Sequence, residues 1–66
     1  MDLPREKYLE FCGRLGIIAA GFRKGSRTKQ PWQIVQMRNE ARRLIDQLPS
    51  YAADRWKSRM PELLTH

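Results

Sequence analysis

The sequence predicts an all-α fold: a small bundle of two longer helices, at about 4–20 and 31–48, with a short third helix at about 51–60. Three observations carry this reading. Apolar residues recur three and four positions apart in each of these stretches, the spacing that lines one face of a helix. Pro4, Pro31, Pro49 and Pro61 stand at the edges of the stretches, where proline opens or stops a helix. No run alternates apolar and polar residues as a half-buried strand does.

In the first helix, Tyr8, Phe11, Cys12, Leu15, Ile18, Ala19 and Phe22 form a single stripe, expected to face the core. Asp2 is placed to cap this helix, and Pro4 is tolerated in its opening turn, where backbone N–H groups lack helical partners. The opposite side carries Leu9, Gly13, Gly16 and Ala20, a line of mostly small residues. Each glycine costs ~1 kcal/mol against alanine in a helix interior. The pair either lets another helix approach closely or divides the segment into two short helices. The apolar period passes through both glycines without a change of phase, which favours one continuous helix.

Residues 21–30 read as a loop, because Gly21, Gly25 and Ser26 punctuate them and nothing apolar recurs beyond Phe22. Pro31 then suits the first turn of the second helix, whose stripe is Ile34, Met37, Ala41, Leu44, Ile45 and Leu48. Ile34, Ala41 and Leu48 repeat by sevens with Met37 and Leu44 between them, a short heptad seam. The residue before a proline avoids the helical region, so Pro49 ends this helix at or near Leu48. Ser50 is placed to cap the third helix, in which Ala52, Ala53, Trp56 and Met60 follow helical spacing until Pro61 stops it. Leu63 and Leu64 leave the tail with two outcomes, an added turn or a frayed end.

All 66 residues fit one domain, and a chain this short buries only ~60% of the surface its unfolded form exposes. Small cores of this kind are usually stapled by disulfides, a metal or self-association. One cysteine, Cys12, and one histidine, His66, leave the first two without ligands, so a homodimer is expected, with the heptad seam as one available surface. A lone thiol within an apolar pattern fits a reducing compartment, and the opening MDLPREKY is not a secretory leader. The longest uncharged run, Leu15 to Phe22, is far short of the ~20 residues that span a bilayer. A soluble, cytoplasmic protein without membrane contact is the expectation.

Lysine and arginine number 13 against 7 aspartates and glutamates. The excess is local: Arg23, Lys24, Arg27 and Lys29 fall within residues 23–30 with no acid among them, while the flanking segments nearly balance. Acids elsewhere have cations at helical spacing, Glu10 with Arg14 and Arg42 with Asp46, and Asp54 within reach of Lys57 or Ser58; such pairs belong to solvated helix faces. Cys12 lies on the core stripe with no histidine near it in sequence, and neither GRLG nor RKGSR has the spacing of a phosphate-binding loop. No catalytic, metal, cofactor or small-molecule constellation emerges, and the chain is expected not to be an enzyme.

The candidate contact surface is therefore the basic loop with its neighbours: Arg23, Lys24, Arg27 and Lys29, the off-stripe Trp32 and Val35, and Arg38 on the flank of helix two. Two partners suit it. Cations without acids can neutralise phosphates, and four such contacts to DNA give a slope of about −3.6 in log K against log salt. Trp32 either packs under the loop or on helix one, or stands exposed among the cations, where it can stack a base or anchor a protein interface. No helix-turn-helix, zinc-finger, RNA-recognition or ribbon-helix-helix pattern is present, which tips the balance toward an acidic protein partner over nucleic acid. Leu9 and Ile17 are further apolar residues off the stripes. In size, charge and lack of catalytic groups the chain is similar to the small accessory proteins of bacteriophages and mobile elements, many of which bind and inhibit a host protein. That likeness is one of type and carries no residues over.

Overall fold

The computed structural model of the chain describes residues 3–25 and 27–65. They form four helices and, among the described residues, no strand: α1 (Arg5–Gly25), α2 (Pro31–Asp46), α3 (Ser50–Arg59) and α4 (Pro61–Thr65). The all-α expectation of two longer helices plus shorter ones holds. Its boundaries shift at several points.

The first helix begins one residue late. The Pro4 carbonyl accepts its first bond, from the Tyr8 N–H at 2.9 Å; the expected cap Asp2 lies outside the described residues. The helix runs unbroken through Gly13 and Gly16 and five residues past the expected end at Ala20. The extension carries Phe22, which packs half-buried against the core. At ~1.5 Å per residue the 21 residues of α1 span roughly 31 Å, which sets the long dimension of a 37 × 19 × 16 Å molecule.

Pro31 opens α2 at its first position, as expected. The preceding Gln30 donates its N–H to Oε1 of Gln33 at 2.7 Å, the reciprocal half of a capping box. The helix ends at Asp46, two residues early, where the Gln47 and Leu48 N–H groups turn back to the carbonyls of Leu44 and Ile45 in a tightened last turn. In α3 the capping expectation fails: Pro49 holds the cap position and Ser50 is already helical, because the Pro49 carbonyl accepts the Ala53 N–H at 2.9 Å. The tail adds a turn and does not fray. Its Leu63 and Leu64 are both buried.

The second helix is the hub, packed against each of the other three. Its Ile34, Ala41, Leu44 and Ile45 are buried with Leu48 just beyond it, Leu15 and Ala19 of α1, Ala52 and Trp56 of α3, Met60, and Leu63 and Leu64 of α4. The rest of α1's stripe lies half-buried against this cluster. The heptad seam is thus covered within the chain, so it offers no surface to a second copy.

Candidate functional site around the α1–α2 turn

The stretch read as a basic loop is divided between a helix end and a hydrogen-bonded turn. Arg23 and Lys24 belong to the last turn of α1, where cations complement the negative end of the helix dipole. The turn closes on one acceptor. Gly25's carbonyl receives the N–H groups of Thr28 and Lys29 at 3.1 and 2.9 Å, and the Thr28 hydroxyl at 3.3 Å. Lys29 folds back over this point, its Cε 3.1 Å from where a side chain on Gly25 would begin. Arg23, Lys24 and Arg27 are exposed, while Lys29 is half-buried.

This folding back brings Lys29 to Trp32. Both line a hollow of about 290 Å³ whose apolar side is Ile18 of α1 and Met37 of α2 and whose far rim is Glu40. Trp32 is 60% exposed there, and Val35, three residues on, is 40% exposed. Leu9 and Ile17, the other apolar residues read as off-stripe, are exposed on α1. Arg38 is half-buried and lines neither this hollow nor the groove described next.

Arg23 is directed elsewhere. It lines a second groove of about 350 Å³ together with Phe22 of α1 and Ser58, Arg59, Met60 and Leu63 of the α3–α4 junction. The structure therefore places Lys29 with Trp32 and Arg23 with Arg59, and does not gather all the predicted residues into one site. Arg59 was missed by sequence reasoning. It follows Trp56 by three, and its guanidinium lies 5.0 Å from the Trp56 ring centroid; that spacing was a readable signal.

The expected charge pairs are rearranged. Arg42 does not reach Asp46; its Nη2 donates to the Leu64 carbonyl at 2.6 Å, because the C-terminal end of α4 lies against α2 and offers an unfilled acceptor. Glu10 pairs with Lys7 at 3.6 Å and not with Arg14, which crosses from α1 to Glu40 of α2 at 3.8 Å. The Ser58 hydroxyl donates to the Asp54 carbonyl at 3.0 Å. Among the described residues these two ion pairs leave Arg23, Lys24, Arg27, Lys29 and Arg59 without an acidic partner.

Cys12 is a free, half-buried thiol on the inner stripe of α1, one turn after Tyr8. The Tyr8 hydroxyl is held above its ordinary pKa, first by desolvation, then by the neighbouring Cys12 and Tyr51. Among the described residues no three His, Cys, Asp or Glu side chains converge as metal ligands, and no helix is long and apolar enough to cross a membrane. No protein family, curated protein or solved structure matches the chain.

Proposed function

We propose that this protein is a non-enzymatic, cytoplasmic binding module that docks onto an acidic host protein and modulates it, as small phage-type accessory proteins do. Trp32 is the apolar anchor, extended by Val35. Lys29 beside it, with Lys24 and Arg27 of the same helix end and turn, supplies the cations, while Arg23 and Arg38 do not line this hollow. The observation that carries this reading is the exposure of Trp32 beside Lys29 in a hollow with an apolar wall. A large aromatic at the centre of a partly apolar, cation-rimmed patch is the usual anchor of a protein interface. The exposed cations would steer an acidic partner in and set its orientation more than they would add affinity.

Self-association belongs to the same proposal. With the α2 seam covered, the surface left for a homodimer is the outer side of α1, where Leu9, Gly13 and Ile17 are exposed. Light scattering that finds only monomer at high micromolar concentration would remove this part.

A second reading rests on the same Trp32, since an exposed indole among arginines and lysines can stack a nucleic-acid base. Capture from host lysate with and without nuclease separates the two. On the protein reading the captured partner survives nuclease and is lost with Trp32→Ala and with Lys29→Glu. Loss of the partner on nuclease treatment transfers the assignment to nucleic acid.

A further inference from the structure

We propose that the Arg23–Arg59 groove is a second binding site, separate from the Trp32 hollow, and that it takes an acidic peptide segment bearing an apolar side chain. The two concavities share no lining residue. Ile18 borders the Trp32 hollow, beside α2, whereas Phe22 and Arg23 border this groove, beside the α3–α4 junction. At about 100° per residue Arg23 points roughly 140° away from Ile18 around the helix, and Phe22, one turn on from Ile18, lies between the two hollows.

The chemistry of the groove defines the occupant. Its floor is apolar, from buried Ala19, Met60 and Leu63 and half-buried Phe22. Two guanidiniums stand over this floor from different helices, and among the described residues neither has an acidic partner. Arg59 is already oriented by the Trp56 ring beneath it, so binding costs it less side-chain entropy than a free arginine would lose. Guanidiniums match carboxylates in two-pronged geometry. At about 350 Å³ the groove is near the small end of ligand sites, roughly 300–1,000 Å³, a size for one side chain with its backbone.

Glu62 decides against a phosphate backbone. It lines the same groove as the two arginines, and its carboxylate disfavours an occupant with an unbroken series of negative charges. A peptide can place discrete carboxylates on Arg23 and Arg59 and leave Glu62 clear.

The test is an NMR titration of the isotope-labelled full chain with the blocked pentapeptide Glu-Glu-Leu-Glu-Glu. Controls are the Lys-Lys-Leu-Lys-Lys and Glu-Glu-Gly-Glu-Glu peptides and a single-stranded oligonucleotide. The expected result is saturable amide shifts confined to Phe22, Arg23 and residues 58–63, with a Kd of the order of 1 mM. Arg23→Gln and Arg59→Gln should each weaken binding about three-fold, as loss of an exposed ion pair does. Both side chains are exposed, so circular dichroism should show the fold intact, and Arg59→Lys, which keeps the charge but loses the planar fork, should recover only part of the affinity. Trp32→Ala should leave the titration unchanged, which keeps this outcome separate from the Trp32 reading. Equal shifts with the lysine or glycine peptide, or tighter competition by the oligonucleotide at these residues, overturn the proposal.

Discussion

Arg42 of α2 and Leu64 of α4 are joined by a 2.6 Å hydrogen bond from guanidinium to main-chain carbonyl, across 22 positions of sequence. The bond fills one acceptor that the end of a helix otherwise leaves to water, and it places a cation where the helix dipole is negative. It also ties down the shortest helix, whose five residues could not persist alone. Arg42→Ala is expected to destabilise the protein by about 1 kcal/mol, a fall in Tm of roughly 4–8 °C for a domain of this size. A melting curve by circular dichroism measures it. An unchanged Tm would mean that the bond contributes nothing in solution.

The small-residue side of α1 gives a prediction of opposite sign. A Cβ added at Gly13 would meet nothing within 4 Å, and one at Gly16 would only touch the Trp56 ring at 4.0 Å. Neither glycine is needed for packing within the chain. Gly13→Ala should therefore stabilise the monomer by up to ~1 kcal/mol through helix propensity alone. If the outer side of α1 is where two copies meet closely, the same substitution should weaken self-association while raising Tm. Urea titration and light scattering on one sample set read both effects.

What the sequence disclosed and what it hid follow a physical division. The stripes of α1 and α2 were legible because burial of a helix face leaves its period in the sequence: Leu15, Ala19, Ile34, Ala41, Leu44, Ile45 and Leu48 are all buried. Trp32 and Val35 were legible as departures from that period, but a departure alone left open whether Trp32 packs under the turn or faces solvent; both are exposed. Gly21 misled, because its cost to a helix is local whereas the packing of Phe22 just beyond it is tertiary. Ser50 was read as a cap by type, but Pro49 took the position through its carbonyl. The partners of Arg14 and Arg42 lie on other helices, as do Arg59 and Leu63, which share Arg23's groove. Spacing along one helix could not show them.

The burial of α4 makes a large prediction from a small element. Leu63 is 0% exposed, and truncating a fully buried leucine to alanine costs ~2–5 kcal/mol, counting the cavity left behind. A 66-residue chain has a total stability of roughly 3–10 kcal/mol at ~0.05–0.15 kcal/mol per residue. Leu63→Ala should therefore move the urea midpoint sharply down or abolish the folded baseline. Thr65→Ala removes only an exposed hydroxyl bond, 2.7 Å to the Pro61 carbonyl, and should cost about 0.5 kcal/mol or less. Similar midpoints for the two variants would show that α4 is not docked as described.

Tyr8 predicts how stability falls in alkali. Its pKa is raised in the folded chain, first by desolvation and then by Cys12 and Tyr51, with Arg55 acting in the opposite direction. The folded state thus holds the phenolic proton more tightly than the unfolded state does. The resulting stabilisation is complete below the ordinary tyrosine pKa of about 10 and is lost as pH rises through the higher folded value. The chain has two tyrosines, so Tyr51→Phe isolates Tyr8 for titration by ultraviolet absorbance. In that variant the midpoint should still lie above that of the urea-unfolded chain, because desolvation remains, and the thermal midpoint should decline across the same alkaline interval. A folded midpoint at or below the unfolded one would mean that Tyr8 is fully hydrated and that its end of α1 is not packed against the core.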